Sequence, residues 1–352
     1  MTHTTTIIGV SARPRQQAAR VILPPKMQQQ GLGTAILQRV LTAYELDGAV
    51  IHEPQKGYRN TSYRIAHDAH VYNLIFYKSE PGMRERIQRT NQVSDSAARA
   101  GLPTRRTLGR IIQLKSPDRE KYACLYSYLP GETIPWEAYT KDHIKNLGAQ
   151  LGALHAALRD YQVPGLPKVT DEYAPLIAEM STYFADPGVQ HAMQQTLQLA
   201  LAPSVFMALE KTLEQCNALP SQQPLHMDFV RGNILFQPGT PEVTGILDFE
   251  KTALGNPIFD LARTLAFLLV DCKYKTPEKI RKYFLQSGYI KRGNQHLSKD
   301  TYPHLKALTN LFLVHDFYKF LRHNPYEYLQ QNEHYIRTKD ILIERKLVKL
   351  VE

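Results

Sequence analysis

The chain has 352 residues, a formal net charge of +10 and three scattered cysteines, Cys124, Cys216 and Cys272. Its length suits two domains or lobes, and three cysteines without metal-ligand spacing argue against a disulfide scaffold and for reduced thiols in a cytoplasmic protein. No apolar run approaches the roughly 18 residues of a membrane span, and the basic surplus lacks zinc spacing, aromatic RNA-reading signatures or a base-contacting basic helix, so neither membrane nor nucleic acid is an expected partner.

Residues 1–34 are rich in Gln, Thr and Pro and contain no acid, since the first Asp or Glu is Glu45. A transit peptide has this character, but a disordered or loosely packed N-terminal arm is the simpler reading. A helical pattern over 34–46 follows. Extended segments are expected at 49–52, 61–66 and 71–78, with a turn at His67-Asp68-Ala69. A helix over 84–100 ends at Gly101 and Pro103. Strands at 110–114 and 122–128 complete an N-lobe assigned to 35–130. Pro130-Gly131 breaks the pattern, and 131–352 reads as a helical C-lobe. Ile144, Leu147, Leu151, Leu154 and Leu158 mark its clearest helix; further helical patterns cover 172–184, 189–217, 258–271 and 277–286.

The chemistry concentrates in His226-Met227-Asp228-Phe229-Val230-Arg231-Gly232-Asn233 and in Ile246-Leu247-Asp248-Phe249-Glu250. An Asp, an Asn five positions on and a second Asp beyond an apolar strand form the polar set of a phosphoryl-transfer site. One carboxylate orients a hydroxyl and takes its proton; the Asn and second carboxylate hold magnesium against nucleotide phosphates. Ile234–Phe236 and Val243–Leu247 read as a hairpin around Gln237–Pro241. Folding it about Thr240 and Pro241 sets Ile234 opposite Leu247 and Asn233 beside Asp248. His226 and Asp228 would share one side of an extended segment.

A strand-rich lobe, a linker and a helical lobe with a metal hairpin resemble the protein-kinase-like fold, a bilobal α+β architecture. More closely, His226-x-Asp228-x-x-x-x-Asn233, Ile246-Leu247-Asp248-Phe249-Glu250, Gly255-Asn256-Pro257-x-x-Asp260-Leu261-Ala262 and Leu151-Gly152-Ala153-Leu154-His155 resemble the aminoglycoside phosphotransferase and choline kinase superfamily over about 45–290. The resemblance implies Asp228 as catalytic base, Asn233 and Asp248 as magnesium ligands, and ATP in the cleft between lobes. His226 and Asp260 are expected as structural supports of the loop, and His155 as a satisfied buried histidine. Glu250 is either a further contact or a solvated strand-end residue.

In the N-lobe, Lys56–Arg64 looks like the family's loop between its first two strands. Gly57 and Asn60 are placed near phosphate there, because glycine lets backbone amides approach. The family frame puts the phosphate-contacting lysine at Ile75. Lys78, the only lysine on that strand, is expected to take that role, which requires that a bulge or the preceding hairpin shift the register, with Glu85 or Asp95 as its partner. The linker 126–131 carries the adenine-reading edge. The expected activity is an ATP- and magnesium-dependent phosphotransferase acting on a small-molecule hydroxyl: an aminoglycoside, choline, homoserine or a sugar. The alternative is a nucleotide-binding pseudokinase with a regulatory or scaffold role.

Overall fold

A computed structural model describes residues 20–22, 34–56, 60–116, 119–272 and 274–351. Of the expected N-terminal arm, only 20–22 and 34 are among them; Gly57 also lies outside the described residues. The chain divides into two compact units, one of Met1–Arg84 and Thr107–Tyr128, the other of Glu85–Arg106 and Leu129–Glu352.

The first unit is built on one sheet. Its strands are β1 (Arg20–Ile22), β2 (Val50–Ile51), β3 (Gln55–Lys56), β4 (Thr61–His67), β5 (His70–Tyr77), β6 (Ile112–Ser116) and β7 (Arg119–Ser127), ordered β1-β6-β7-β5-β4-β2 with β3 also on β4. Only β1 runs parallel to its neighbour. Alternation puts Tyr63, Ile65, Leu74, Phe76, Ile112, Leu114, Ala123 and Leu125 on one face. Helix α1 (Thr34–Ala43) covers that face with Ile36, Leu37, Val40 and Leu41. On the other face Ile75 lies opposite Ser62 on one side and Cys124 on the other. Tyr77 and Tyr126, on that same face, share a hydroxyl–hydroxyl hydrogen bond of 2.6 Å.

Helix α2 (Met83–Arg99) matches the expected helix and ends on Gly101, whose φ of +89° is the left-handed stop that glycine accepts readily. The unit boundary departs from the expected 35–130 here. Val93 and Ala97 of α2 bury themselves in the helical core, so Glu85–Arg106 groups with the second unit.

The second unit is mostly helical: α3 (Lys141–Leu158), α4 (Val169–Ala185), α5 (Pro187–Ala192), α6 (Ser204–Asn217), α7 (Ile258–Asp271), α8 (Pro277–Arg281), α9 (Thr301–His323), α10 (Tyr326–Leu329) and α11 (Glu333–Glu344). Among the described residues three short antiparallel pairs interrupt it: β8 (Leu199–Leu201) with β13 (Val348–Leu350), β9 (Gln223–Leu225) with β12 (Ala253–Gly255), and the hairpin β10 (Ile234–Phe236) with β11 (Val243–Ile246).

Two sequence expectations need correction in this unit. The continuous helix over 189–217 is broken, because Gln198 is left-handed (φ +54°) and Pro203 cannot donate to a helix. The residues between become β8. The helix over 277–286 runs on as a wide helical segment, Lys282–Arg292. That segment packs very closely on α3: a Cβ on Gly148 would come within 2.2 Å of the Phe284 carbonyl, and one on Gly288 within 2.6 Å of the Lys145 carbonyl.

Candidate active site

The site grows from the two small hairpins. β9 runs from the core up to Leu225, and Ala253 of β12 pairs with that residue. Beyond β9 the chain does not stay extended as expected. Met227 takes φ +60°, costly for a non-glycine residue, so the alternation assumed for His226 and Asp228 does not apply.

Asp260, in the first turn of α7 and fully buried, holds this bend. It accepts the backbone N–H of His226 at 2.8 Å and of Met227 at 2.6 Å, and the His155 Nε2 lies 3.1 Å from it. His155 is held in turn by the Tyr289 hydroxyl at 2.9 Å. His226 is equally committed: its Nδ1 accepts the Asp228 N–H at 3.2 Å, so its Nε2 donates to the Leu247 carbonyl at 2.9 Å. That second bond ties the loop to the end of the β10–β11 hairpin.

The hairpin register differs by one residue from the expected one. Ile234 pairs with Ile246, not Leu247, because the turn centres on Gly239 and Thr240, one residue earlier than expected, where Phe236 pairs with Val243; the register shift between Leu235 and Phe236 makes up only part of that difference. Thr244 is the extra residue of that bulge. Asn233 therefore lies across from Leu247, whose N–H donates to its carbonyl at 2.8 Å, and Asp248 follows one residue on. Asp248 is exposed and left-handed (φ +56°), with its Oδ1 accepting the Glu250 N–H at 3.3 Å.

Asp228 is mostly buried and held at both oxygens. Asn233 Nδ2 donates to its Oδ2 at 3.1 Å and to its backbone carbonyl at 2.9 Å; Lys251 Nζ donates to its Oδ1 at 2.9 Å. Burial alone would raise this carboxyl. The Lys251 ammonium and, behind it, the Arg263 guanidinium outweigh burial and hold it below the ordinary carboxylate value.

Arg263 links this centre to α9. Buried on α7, it donates from one nitrogen, Nη1, to both oxygens of Asp316 at 3.1 and 3.2 Å, a charge-assisted contact. Lys319 lies 3.5 Å from the same carboxylate. Burial would raise Asp316, but Arg263 and Lys319 together hold it low. Neighbouring His315 goes the other way, pushed down by burial to about 3. Asp271, at the end of α7, lies 3.6 Å from Arg231 of the catalytic loop and 3.3 Å from His334; burial raises it despite both. A cavity of about 320 Å³ opens among Phe267, Asp271, Asp316, Lys319, Phe320 and His334, large enough for a small metabolite.

Asn233 turns Nδ2 to Asp228, so its Oδ1 is the atom that could serve a cation. Together with the Asp248 carboxylate this makes two hard oxygen donors, a set that fits magnesium, which takes one or two protein oxygens and completes its octahedron with phosphate and water. In the first unit, β5 keeps an unbroken register with β4 and β7 and ends at Tyr77. Ile75 is buried and Lys78 exposed just beyond the strand, its N–H donating to Asn60 Oδ1 at 3.2 Å. The bulge that would carry Lys78 to the face of Ile75 is absent from the described strand. Sequence reasoning passed over Lys251, Arg263 and Asp316. Arg263 left a signal, as the one basic residue of α7, set in a mostly apolar run; a buried charge there requires a partner.

The profile of the phosphotransferase enzyme family matches residues 50–274. The homoserine kinase of Pseudomonas aeruginosa is 32% identical over 123 residues, which are 35% of this chain and 35% of that protein. The match thus spans about a third of the length of these curated relatives. Among solved structures, a microcompartment-associated aminopropanol kinase superposes with a TM-score of 0.65 at 16% identity, covering 90% of this chain and 98% of that one. An amicoumacin kinase solved with AMP-PNP, Ca2+ and Ami gives 0.65 at 16% identity, covering 88% and 93%. A spectinomycin phosphotransferase solved with ADP and spectinomycin gives 0.54 at 16%, covering 88% and 95%. These likenesses establish the bilobal α+β, protein-kinase-like fold.

Proposed function

This chain belongs to the phosphotransferase enzyme family, and we propose that it transfers the γ-phosphate of ATP, with magnesium, to the hydroxyl of a small amino alcohol. As a phosphotransferase of this family it binds a nucleotide and a small-molecule acceptor. The observation that carries the finer reading is the clamp on Asp228. A carboxylate held at both oxygens, on a loop pinned by Asp260, keeps one orientation toward an incoming hydroxyl.

In this reading Asp228 accepts a hydrogen bond from the acceptor hydroxyl and takes its proton as the new P–O bond forms. Asn233 and Asp248 would hold magnesium, which neutralises charge on the phosphates. Asp260 and His226 keep the loop in shape and exchange no proton with substrate. Asn60 and Lys78 belong to the nucleotide side. The acceptor class is supported by the names of two relatives, a homoserine kinase and an aminopropanol kinase. It is supported also by a cavity whose wall carries both signs, Asp271 and Asp316 beside Lys319, as a small zwitterion or amino alcohol needs.

The test is ADP release from MgATP across amino alcohols, sugars and antibiotics, with Asp228→Asn as control. Turnover should rise with an amino alcohol and fall by about 10²–10⁴-fold in the variant, while calorimetry still registers MgATP binding. ATP binding without turnover on any acceptor would transfer the argument to the pseudokinase reading. Unchanged turnover in Asp228→Asn would remove that residue from the mechanism.

A further inference from the structure

We propose that Lys251 is a catalytic cation of this site: it holds Asp228 for the acceptor and bears on the phosphoryl group as it crosses. The inference rests on the reading of Asp228 given above and adds to it a residue from outside the Asp–Asn–Asp set.

The local fold delivers this side chain. After Asp248 the chain turns sharply, with the Thr252 N–H donating to the Phe249 carbonyl at 3.0 Å, and enters β12. Ala253 pairs with Leu225 and Leu254 with Pro224. Lys251 lies two residues before the Ala253–Leu225 end pair and Asp228 three residues beyond it, so the two loops leave the same end of the β9–β12 pair. The ammonium then sits 2.9 Å from Oδ1 of Asp228. An acceptor oxygen bound to this carboxylate lies a second hydrogen bond away, so Nζ is within reach of the point where acceptor and phosphoryl meet.

Charge and exposure point the same way. Lys251, Arg263 and Lys319 act electrostatically on one neighbourhood that holds Asp228, Asp316 and His315. Arg263 and Lys319 are committed to Asp316. Lys251 is paired with the Asp228 carboxylate, and its side chain is 39% exposed. Solvent at the lysine screens part of this bridge, so its contribution to stability is modest. A cation aimed at a transferring phosphoryl group contributes much more, because charge on the equatorial oxygens must be balanced in the transition state. In the step itself, the bond from the γ-phosphorus to the bridging oxygen of ADP breaks and its electron pair leaves on ADP. The acceptor oxygen forms the new bond, and its proton passes to Asp228. Lys251 keeps its own proton throughout.

The test compares Lys251→Met, Lys251→Gln and Lys251→Arg in the full chain. MgATP labelled in the γ-phosphate is the probe, with water as acceptor, so no acceptor need be known. Release of inorganic phosphate gives kcat and the KM for ATP, and thermal melting reports folding. Lys251→Met should lose about 10²-fold in kcat with its melting temperature and KM nearly those of the parent. Lys251→Arg should recover most of the loss. Lys251→Gln, polar and uncharged, should behave like Lys251→Met and guards against a misfolded methionine variant. Parental kcat in either uncharged variant overturns the proposal. So does equal loss in the arginine and methionine variants, or a raised KM at unchanged kcat. A parent chain inactive on MgATP, or active Asp228→Asn, overturns the reading of Asp228 and this inference together. A dead Asp228→Asn beside an active Lys251→Met overturns the Lys251 role alone.

Discussion

The broad sheet of the first unit and the short hairpins of the second use β-structure in opposite ways. The sheet runs through seven described strands, with β5 paired to β4 over His70–Phe76 and to β7 over Tyr72–Tyr77. Ile75 lies between Ser62 and Cys124 on it, and its cation at the strand end, Lys78, is exposed. The antiparallel pairs β9–β12 and β10–β11 have three or four residues per strand, too few to be stable alone. Yet their ends carry Asp228, Asn233, Asp248 and Lys251. The long sheet supplies shape. The short pairs act as clips, stabilised by surrounding helices and by buried polar groups such as Asp260, and their ends are where exact placement of charge matters.

Breaking a clip should cost most. Asp248→Ala is expected to lower turnover by about 10²–10³-fold and to weaken ATP binding only when magnesium is present. Titration calorimetry with and without the metal separates the two effects; unchanged affinity with magnesium would end the ligand assignment.

Ile75→Ala probes the sheet as shape. Removing buried methyl groups should cost about 2–5 kcal/mol, read from urea unfolding, while activity per folded molecule stays near the parent's. A folded but inactive variant would mean that this face does chemistry after all.

A third comparison uses acid. Burial pushes His315 down to about 3, against an ordinary value of about 6.5 in an unfolded chain. Between those values the unfolded chain binds a proton that the native one refuses. The stabilisation is therefore complete above pH 6.5 and is lost as pH falls toward 3. His315→Gln should flatten that decline by ~3 kcal/mol between pH 6.5 and 4. Parallel stability curves for variant and parent would show that His315 does not titrate this way.

The smallest effect is expected at Lys78. An exposed, solvent-screened cation contributes little, so Lys78→Ala should lower kcat/KM by about tenfold or less and leave melting unchanged. A loss near that of Asp248→Ala would sharpen the comparison in reverse, giving the sheet a charge role of its own.

Local grammar made much of this legible. The spacing from Asp228 to Asn233 and the strand before Asp248 placed those three residues in one motif, the periodicity of α2 and α7 gave their bounds within a residue or two, and that of α3 gave its buried face. What escaped was non-local or non-periodic. The turn closes one residue earlier than Thr240-Pro241 suggested and the one-residue bulge in β11 has no signature in alternation, so the hairpin register came out one step off. The link from Lys251 to Asp228 spans 23 residues and that from Arg263 to Asp316 spans 53; only the folded chain brings such pairs together. Pro203 was visible in the sequence and marked the break before α6, but the left-handed Gln198 beside it was not.

The backbone at Asp248 sets stability and activity against each other. A left-handed residue other than glycine carries a conformational penalty of roughly 1–2 kcal/mol, and this carboxylate is exposed, with no core packing to lose. Glycine at this position would relieve that penalty, partly offset by the greater freedom it gives the unfolded chain. A selection for heat resistance alone would therefore tolerate the loss of Asp248, and only a selection that also demands turnover would keep it.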